Sequence, residues 1–207
     1  MTPPEFLFDG PADTPLTFVF AHGAGAAMDS AFMNAFAAGL GERGIRVARF
    51  EFPYMARRRA ENRKFPPDRQ PVLLETWRAV IGALGGPGRL AIGGKSMGGR
   101  VASLIADEAG VRGLACLGYP FHAAGRPEKV RVEHLENLKT RTLILQGERD
   151  SLGNRSEVAD YALSSAIRVE WLTDGDHGFK PRKASGASET GNWELAIGIL
   201  TDFLKSL

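Results

Sequence analysis

A serine flanked by glycines is the part of this chain best suited to chemistry. Residues 94–98 read Gly-Lys-Ser-Met-Gly, a G-x-S-x-G pattern centred on Ser96. A short apolar run at 90–92 precedes the pattern, and a run with helical spacing follows it. The setting predicts a tight strand-to-helix turn that presents the Ser96 hydroxyl as a nucleophile. Bulky residues in place of Gly94 and Gly98 would block such a turn.

A serine hydroxyl needs a base to take its proton and an acid to orient that base. In hydrolases with this pattern the acid and the histidine follow the serine in that order, each beyond a later strand. Asp150 follows the apolar run 140–147, and His177 follows the strand-like run 167–172. A surface carboxylate and a turn histidine are the alternatives when each is taken singly. The ordered set predicts a catalytic triad of Ser96, Asp150 and His177.

A small-residue loop near the start of the chain is predicted to complete the site. The strand-like run 16–21 leads into His-Gly-Ala-Gly at 22–25. A tetrahedral oxyanion needs two N–H donors already in place, and we expect that of Met97 and that of Gly23 or Ala24. His22 precedes the nucleophile, so we interpret it as a structural histidine that hydrogen-bonds within its loop, with a catalytic base as the alternative.

These motifs together resemble a known family, and the resemblance covers nearly the whole chain. The chain looks like a small α/β-hydrolase of the dienelactone-hydrolase-like group. Within that group it resembles bacterial predicted hydrolases related to testis-expressed protein 30 and to a subunit of a histone-acetyltransferase complex. Dienelactone hydrolase itself uses a cysteine nucleophile, whereas this chain has Ser96 at that position, so dienelactone is not the expected substrate. The matching motifs are Phe-Ala-His-Gly-Ala-Gly at 20–25, Phe-Glu-Phe-Pro-Tyr-Met at 50–55, Gly-Gly-Lys-Ser-Met-Gly-Gly-Arg at 93–100, Gly-Tyr-Pro-Phe-His at 118–122, Gln-Gly-Glu-Arg-Asp at 146–150 and Gly-Asp-His-Gly at 175–178.

Alternating strand and helix patterns must position these residues, which predicts the α/β class with a minimal, mostly parallel sheet of about six or seven strands flanked by helices. Only about twenty residues separate Tyr119 from Thr140, too few for a large lid. The predicted strands are 16–21, 46–51, 90–93, 113–119, 141–146 and 168–172, with a possible edge strand at 6–8. The predicted helices are 30–43, 72–84, 98–108, 156–164 and 192–206.

Composition predicts one domain over residues 1–207 and a cytoplasmic location. The chain is 43% hydrophobic and 24% charged, which is ordinary globular usage. It has no apolar run near the ~18 residues that a membrane span needs, and its first residues lack the basic start of a signal peptide. The four histidines are scattered, so we expect neither a metal nor a cofactor. Cys116, the one cysteine, is expected to be a small core residue rather than a nucleophile.

Residues 57–69 form a basic segment with a local net charge of +4, which leaves −2 for the remainder. A solvated loop is one interpretation. The other is a rim beside the site, where Arg57 and its neighbours would orient an anionic substrate. Nucleic acid is not an expected partner, because no recognition motif accompanies the segment. Residues that follow strand ends were expected to contact the substrate: Tyr54, Met55, Arg57, Phe121 and His122, the last also with an alternative role as a second base.

The sequence therefore predicts a serine hydrolase that cleaves a small ester through an acyl-Ser96 intermediate. A thioester and an amide are the alternative substrates. The competing hypothesis from another class is a non-catalytic module of the same fold that binds a protein partner.

Overall fold

The computed structural model describes residues 3–207 and contains a seven-stranded sheet in the order β1-β3-β2-β4-β5-β8-β9. Every neighbouring pair is parallel except β1 with β3. A short hairpin forms a second sheet. The prediction of a mostly parallel sheet with an edge strand at its start is confirmed. The strands are β1 (Phe6–Asp9), β2 (Thr17–Ala21), β3 (Arg46–Phe50), β4 (Leu90–Lys95), β5 (Gly113–Leu117), β6 (His122–Ala123), β7 (Arg126–Val130), β8 (Thr142–Gly147) and β9 (Ile167–Leu172).

Helices cover both faces of the sheet, so its central strands are buried on two sides. Alternate residues of a strand point to opposite faces. Phe18 and Phe20 of β2 pack with Leu200 of α7, whereas Val19 packs with Trp77 of α3. This double burial explains why the central strands read as continuous apolar runs. The helices within residues 3–207 are α1 (Ala31–Glu42), α2 (Pro53–Glu61), α3 (Gln70–Ala83), α4 (Met97–Ser103), α5 (Ala106–Ala109), α6 (Arg155–Val158) and α7 (Glu189–Lys205).

The topology brings the predicted site residues to one edge of the sheet. His22, Ser96, Asp150 and His177 each follow the carboxyl end of a strand, namely β2, β4, β8 and β9. Those strands lie side by side with only β5 between β4 and β8. Because parallel strands end at the same edge, residues far apart in the chain are placed close together.

Three segments differ from the predicted elements. Helix α2 was not predicted, because only Tyr54 and Met55 are buried in it and its arginine-rich remainder shows no helical period. The predicted helix 98–108 is divided into α4 and α5. The predicted helix 156–164 ends at Val158, where the chain turns toward the hydrogen bond from Ser164 N to Leu135 O.

The segment between β5 and β8 holds the β6–β7 hairpin and no larger insertion, in agreement with the expected absence of a large lid. No helix within residues 3–207 has both the length and the apolar character needed to cross a membrane.

Candidate active site

Ser96 occupies the turn between β4 and α4 in a backbone conformation that L-residues rarely adopt. Its φ is 51° and its ψ is −115°. The turn is possible because its neighbours lack side chains. A Cβ on Gly94 would lie 2.5 Å from Ala21 O, and one on Gly98 would lie 2.6 Å from both Ala21 O and His22 O. The two glycines therefore let the turn pack directly against the loop that follows β2.

The structure brings Ser96, His177 and Asp150 into one hydrogen-bonded chain. The distance from His177 Nε2 to Ser96 Oγ is 2.9 Å, and that from His177 Nδ1 to Asp150 Oδ2 is 2.7 Å. A carboxylate only accepts hydrogen bonds, so Nδ1 carries the proton and Nε2 is the acceptor. The Ser96 hydroxyl therefore donates to His177, which is the arrangement that general-base activation of a serine requires.

Asp150 is fully buried, and protein donors fix both of its carboxylate oxygens. Leu152 N donates to Oδ1 at 2.9 Å, and Gln146 Nε2 donates to Oδ2 at 2.9 Å. The amide group of Gln146 also accepts from Tyr119 N at 2.7 Å and donates to Gly153 O at 3.1 Å. One buried glutamine thus holds the acid in line with the histidine.

Three contacts from separate parts of the fold hold the loop that carries His177. Lys95 Nζ donates to His177 O at 2.7 Å, and Trp193 Nε1 donates to Gly178 O at 2.9 Å. Arg149 N donates to Gly175 O at 2.9 Å, which joins this loop to the one that carries Asp150. The histidine is 31% exposed at its side chain, so it is fixed in place and still open to a ligand.

Lys95 is a largely buried cation beside the triad. Burial lowers the pKa of its ammonium group to about 8, against the opposing charges of Asp150 and Asp176. Its Nζ also lies 5.6 Å from the ring centroid of Phe32. The sequence pattern did not indicate a role for Lys95, because it occupies the first of the two variable positions of G-x-S-x-G.

The loop after β2 approaches Ser96 with unused N–H donors. A Cβ on Gly23 would lie 3.7 Å from the Cβ of Ser96. Within residues 3–207, the N–H groups of Gly23, Ala24 and Met97 donate to no other group. Tyr54 Oη donates to Ala24 O at 3.0 Å, which ties this loop to α2. The arrangement places potential oxyanion donors on both sides of the nucleophile.

His22 has the structural role predicted for it. It is fully buried, and its Nδ1 donates to Gly23 O at 2.7 Å while Phe52 N donates to its Nε2 at 3.1 Å. Both ring nitrogens are therefore occupied by the backbone. Burial lowers the pKa of the imidazole, so the ring stays neutral and braces the loop.

Two cavities of different character meet at Ser96. One has a volume of about 400 Å³ and extends between the loop that precedes α3 and the β6–β7 hairpin. Its wall is apolar over most of its area but also carries charged and polar side chains, so we call it the polar cavity; its lining includes Ser96, Met97, Asp68, Arg100, His122 and Arg131. The other has a volume of about 380 Å³ and is mainly apolar, with a lining that includes Ser96, His177, Phe32, Met33 and Trp193. A substrate carbonyl at Ser96 would therefore lie between two cavities, one with charged side chains in its wall and one that is mainly apolar.

Of the five residues expected to contact the substrate, only His122 lines either cavity. Tyr54, Met55 and Phe121 are buried in the core because α2 and the turn after β5 direct them inward. Tyr54 acts on the site indirectly, through its hydrogen bond to the loop after β2. His122 Nδ1 donates to Ala123 O at 3.0 Å, and within residues 3–207 the ring makes no hydrogen bond to Ser96, His177 or Asp150.

The basic segment 57–69 does not line the cavities with its arginines. Arg57 is exposed and stacks over Phe65, with its guanidinium carbon 4.1 Å from the ring centroid. Arg59 is paired with Glu51 at 2.7 Å and with Asp29 at 2.8 Å. Of the two acidic residues of the segment, Glu61 and Asp68, it is Asp68 that lines the polar cavity. The expected rim of arginines is therefore replaced by a helix in which Arg57 is stacked and Arg59 is paired.

A second serine–histidine contact joins Ser103 Oγ and His134 Nε2 at 2.8 Å. Ser103 is 2% exposed and donates its own proton to Arg100 O at 2.7 Å, so His134 is the donor in this contact. No carboxylate hydrogen-bonds His134 within residues 3–207. The serine of the pair is closed to solvent, no carboxylate among the described residues orients the histidine, and the histidine rather than the serine is the donor. The role of the pair is structural: it links α4 to the segment after the hairpin.

Arg100 and Arg131 are the site-lining residues that the sequence reasoning missed. Arg100 follows Ser96 by four residues, a spacing that places both on one face of α4, so the signal was present in the sequence. Arg131 follows a hairpin that no local pattern indicated.

Cys116 is buried on β5, as expected for a small core residue, and burial raises the pKa of its thiol. No three His, Cys, Asp or Glu side chains between residues 3 and 207 are grouped so that they could hold a metal ion.

Residues 14–205 match a family model described as an alpha/beta hydrolase domain. Solved structures with the same fold include an α/β serine hydrolase homologue from Coxiella burnetii, with 18% identity over 96% of this chain and 90% of that one and a TM-score of 0.73. Dienelactone hydrolase from Anabaena variabilis has 19% identity over 96% and 91% of the two chains and a TM-score of 0.70. A serine hydrolase without a lid from Xanthomonas campestris has 20% identity over 97% and 86% and a TM-score of 0.65.

Proposed function

Since this chain belongs to the alpha/beta hydrolase domain family, we propose that it is a serine hydrolase that cleaves a small carboxylic ester. The observation that carries the proposal is the continuous chain from Ser96 Oγ through His177 to the buried Asp150, with distances of 2.9 and 2.7 Å. The roles of nucleophile, base and acid follow from the direction of proton donation along that chain.

In the first half of the reaction, His177 Nε2 takes the proton of Ser96 as Oγ attacks the ester carbonyl carbon. The carbonyl oxygen becomes an oxyanion that the N–H of Met97 and that of Gly23 or Ala24 stabilise. Collapse of this intermediate breaks the bond to the alcohol oxygen, which receives the proton from His177. The products of this half are the free alcohol and an acyl-Ser96 ester.

In the second half, water replaces the alcohol and the same steps run again. His177 takes a proton from water as its oxygen attacks the acyl carbon, and then returns the proton to Ser96 Oγ as the carboxylic acid leaves. Asp150 keeps the Nδ1–H tautomer and stabilises the imidazolium that forms twice in each cycle. The residues of the chain supply every proton transfer, so the proposed reaction needs no cofactor.

We favour an ester over an amide because an amide nitrogen leaves less readily, and a thioester is the alternative substrate. The non-catalytic module is the competing hypothesis. A strained Ser96 costs of order 1–3 kcal/mol of stability, and a scaffold that only bound a protein would have no use for it.

The same proposal includes the finer relation to the bacterial hydrolases related to testis-expressed protein 30, which rests on the motifs at 20–25, 93–100 and 175–178. It also includes a single domain over residues 1–207 and a cytoplasmic location, both of which rest on composition.

The proposal is tested by covalent labelling with a fluorophosphonate probe, followed by intact mass measurement. We expect one adduct per chain, located on Ser96, and hydrolysis of p-nitrophenyl butyrate by the unlabelled protein. Ser96→Ala should abolish both. The matched control is Ser103→Ala, which removes the other serine that contacts a histidine and should keep both. A folded wild-type protein that takes up no label and cleaves no ester would favour the non-catalytic module.

A further inference from the structure

Two arginines that line the polar cavity have no acidic partner. No carboxylate within residues 3–207 lies within 4 Å of the guanidinium groups of Arg100 or Arg131. Arg100 Nε is buried without a hydrogen-bond partner, and among the described residues 3–207 its guanidinium hydrogen-bonds to one side chain, at 3.4 Å to Gln70 Oε1. Most other arginines near the site, by contrast, are paired or stacked, as Arg59 and Arg57 are. A guanidinium has five N–H donors, and the protein offers few acceptors to that of Arg100. Its unused donors could therefore bind a ligand.

The two charges also work against each other. Burial lowers the pKa of Arg100, and the nearby charge of Arg131 lowers it further, against the opposing charge of Glu133. Burying like charges without a counter-ion costs free energy, which an anion between them would recover.

The charged side chains that face the cavity determine how much negative charge a bound anion should carry. Asp68 lines the same wall and accepts a hydrogen bond from Tyr54 N at 2.8 Å. His122, which also lines the cavity, lies 3.8 Å from Glu157. Two arginines against Asp68 leave a net charge of about +1, which suits a singly charged carboxylate better than a phosphate dianion.

From these contacts, and resting on the proposed ester hydrolysis at Ser96, we infer that Arg100 and Arg131 bind a carboxylate carried by the substrate. Ser96 and Met97 line the same cavity, so the carboxylate and the reacting carbonyl belong to one small molecule. The substrate class is an ester that bears a carboxylate, either a half-ester of a dicarboxylic acid or the ester of a hydroxy acid.

Kinetics with matched esters test the inference. The acyl-side pair is mono-p-nitrophenyl glutarate and p-nitrophenyl pentanoate, and the alcohol-side pair is 3-carboxyphenyl butyrate and phenyl butyrate. We expect kcat/KM to favour the charged member of one pair. Arg100→Gln and Arg131→Gln should each lower that preference by about tenfold or more, the effect of losing one charge-assisted hydrogen bond. The control, Arg57→Gln, changes an exposed arginine outside the cavities and should leave the preference intact.

Binding to the Ser96→Ala variant tests the carboxylate site without catalysis. At constant ionic strength, glutarate should raise its melting temperature, dimethyl glutarate should not, and Arg131→Gln in the same background should remove the effect. The inference is overturned if glutarate gives no rise or if the rise survives Arg131→Gln, and a larger rise with inorganic phosphate would overturn the choice of carboxylate. Glutarate binding in a protein that cleaves no ester would leave this site standing and reject the proposed function.

Discussion

Lys95 and His177 are joined by a hydrogen bond of 2.7 Å from the lysine Nζ to the histidine carbonyl oxygen. Lys95 is the residue before Ser96, so the nucleophile and the base are linked twice, once through their side chains and once through this ammonium group. The link spans 82 residues of sequence and crosses from the end of β4 to the loop after β9. This hydrogen bond gives the Lys95 ammonium group a structural role at a position where burial disfavours a charge.

Replacing Lys95 with methionine should change how stability depends on pH. In the folded state its pKa is about 8, and the ordinary value is 10.5. Below pH 8 the lysine is charged in both states, and the folded protein bears the full cost of burying the charge. Between pH 8 and 10.5 the folded state loses the proton first, so wild-type stability rises with pH. Over this pH range the unfolding free energy of the wild type should therefore rise by up to about 3 kcal/mol relative to that of Lys95→Met.

Urea denaturation of both proteins at pH 7.5, 9 and 10.5 measures this gain. Lys129→Met, which changes an exposed lysine of β7, is the control and should keep a constant difference from the wild type. A constant difference for Lys95→Met as well would contradict the burial of a charged group at this position.

Replacing Asp150 with asparagine should lower kcat by on the order of 10³-fold or more. Both oxygens of Asp150 accept hydrogen bonds, so either orientation of an asparagine amide would turn its NH₂ group toward another donor. If that NH₂ group faces His177, the ring must adopt the Nε2–H tautomer, which cannot accept the Ser96 proton.

The measurement is the rate of p-nitrophenyl butyrate hydrolysis, with His177→Ala and the double variant for comparison. Residues that act as one unit are non-additive, so the double variant should be no slower than the slower single variant. Additive losses in the logarithm of kcat would show that the two residues act independently.

Replacing Gln146 with leucine should both destabilise the protein and slow the reaction. The change leaves Tyr119 N and Gly153 O buried without their partners, a cost of about 3 kcal/mol in unfolding free energy. It also removes one of the two hydrogen bonds that Asp150 Oδ2 accepts, that from Gln146, so kcat should fall by more than KM changes. Gln70→Leu, a change of an exposed glutamine, should leave the unfolding free energy within about 0.5 kcal/mol of the wild type. Equal unfolding midpoints for the two variants in urea would argue against the bracing role of Gln146.

Adding one methyl group at Gly98 should disrupt the turn that holds Ser96. Its Cβ would lie 2.6 Å from two carbonyl oxygens, and backbone atoms cannot move aside cheaply. We expect Gly98→Ala to cost about 1–3 kcal/mol or more in unfolding free energy, with a loss of fluorophosphonate labelling. The matched control is Gly82→Ala in α3, where a Cβ meets open space and should stabilise the helix by roughly 0.5–1 kcal/mol. Thermal unfolding of both variants distinguishes a steric effect at the turn from a general effect of alanine.

Much of this protein could be predicted from local sequence patterns. The glycines around Ser96 define a turn because the backbone itself excludes larger residues there. The order of Ser96, Asp150 and His177 beyond separate apolar runs predicts their convergence, since parallel strands end at one edge of a sheet. The long helices α1, α3 and α7 were found because each buries one regular face.

The tertiary structure alone decided which side chains line the cavities at Ser96. Helix α2 turns Tyr54 and Met55 into the core and leaves Arg57 stacked on Phe65, although the sequence placed all three just beyond a strand end. The cavity wall is completed instead by Arg100 and Arg131, which α4 and a hairpin without a local signature bring together. Local patterns report the backbone preferences of neighbouring residues, whereas a cavity is formed by segments distant in the chain, and its lining depends on packing that no single segment encodes.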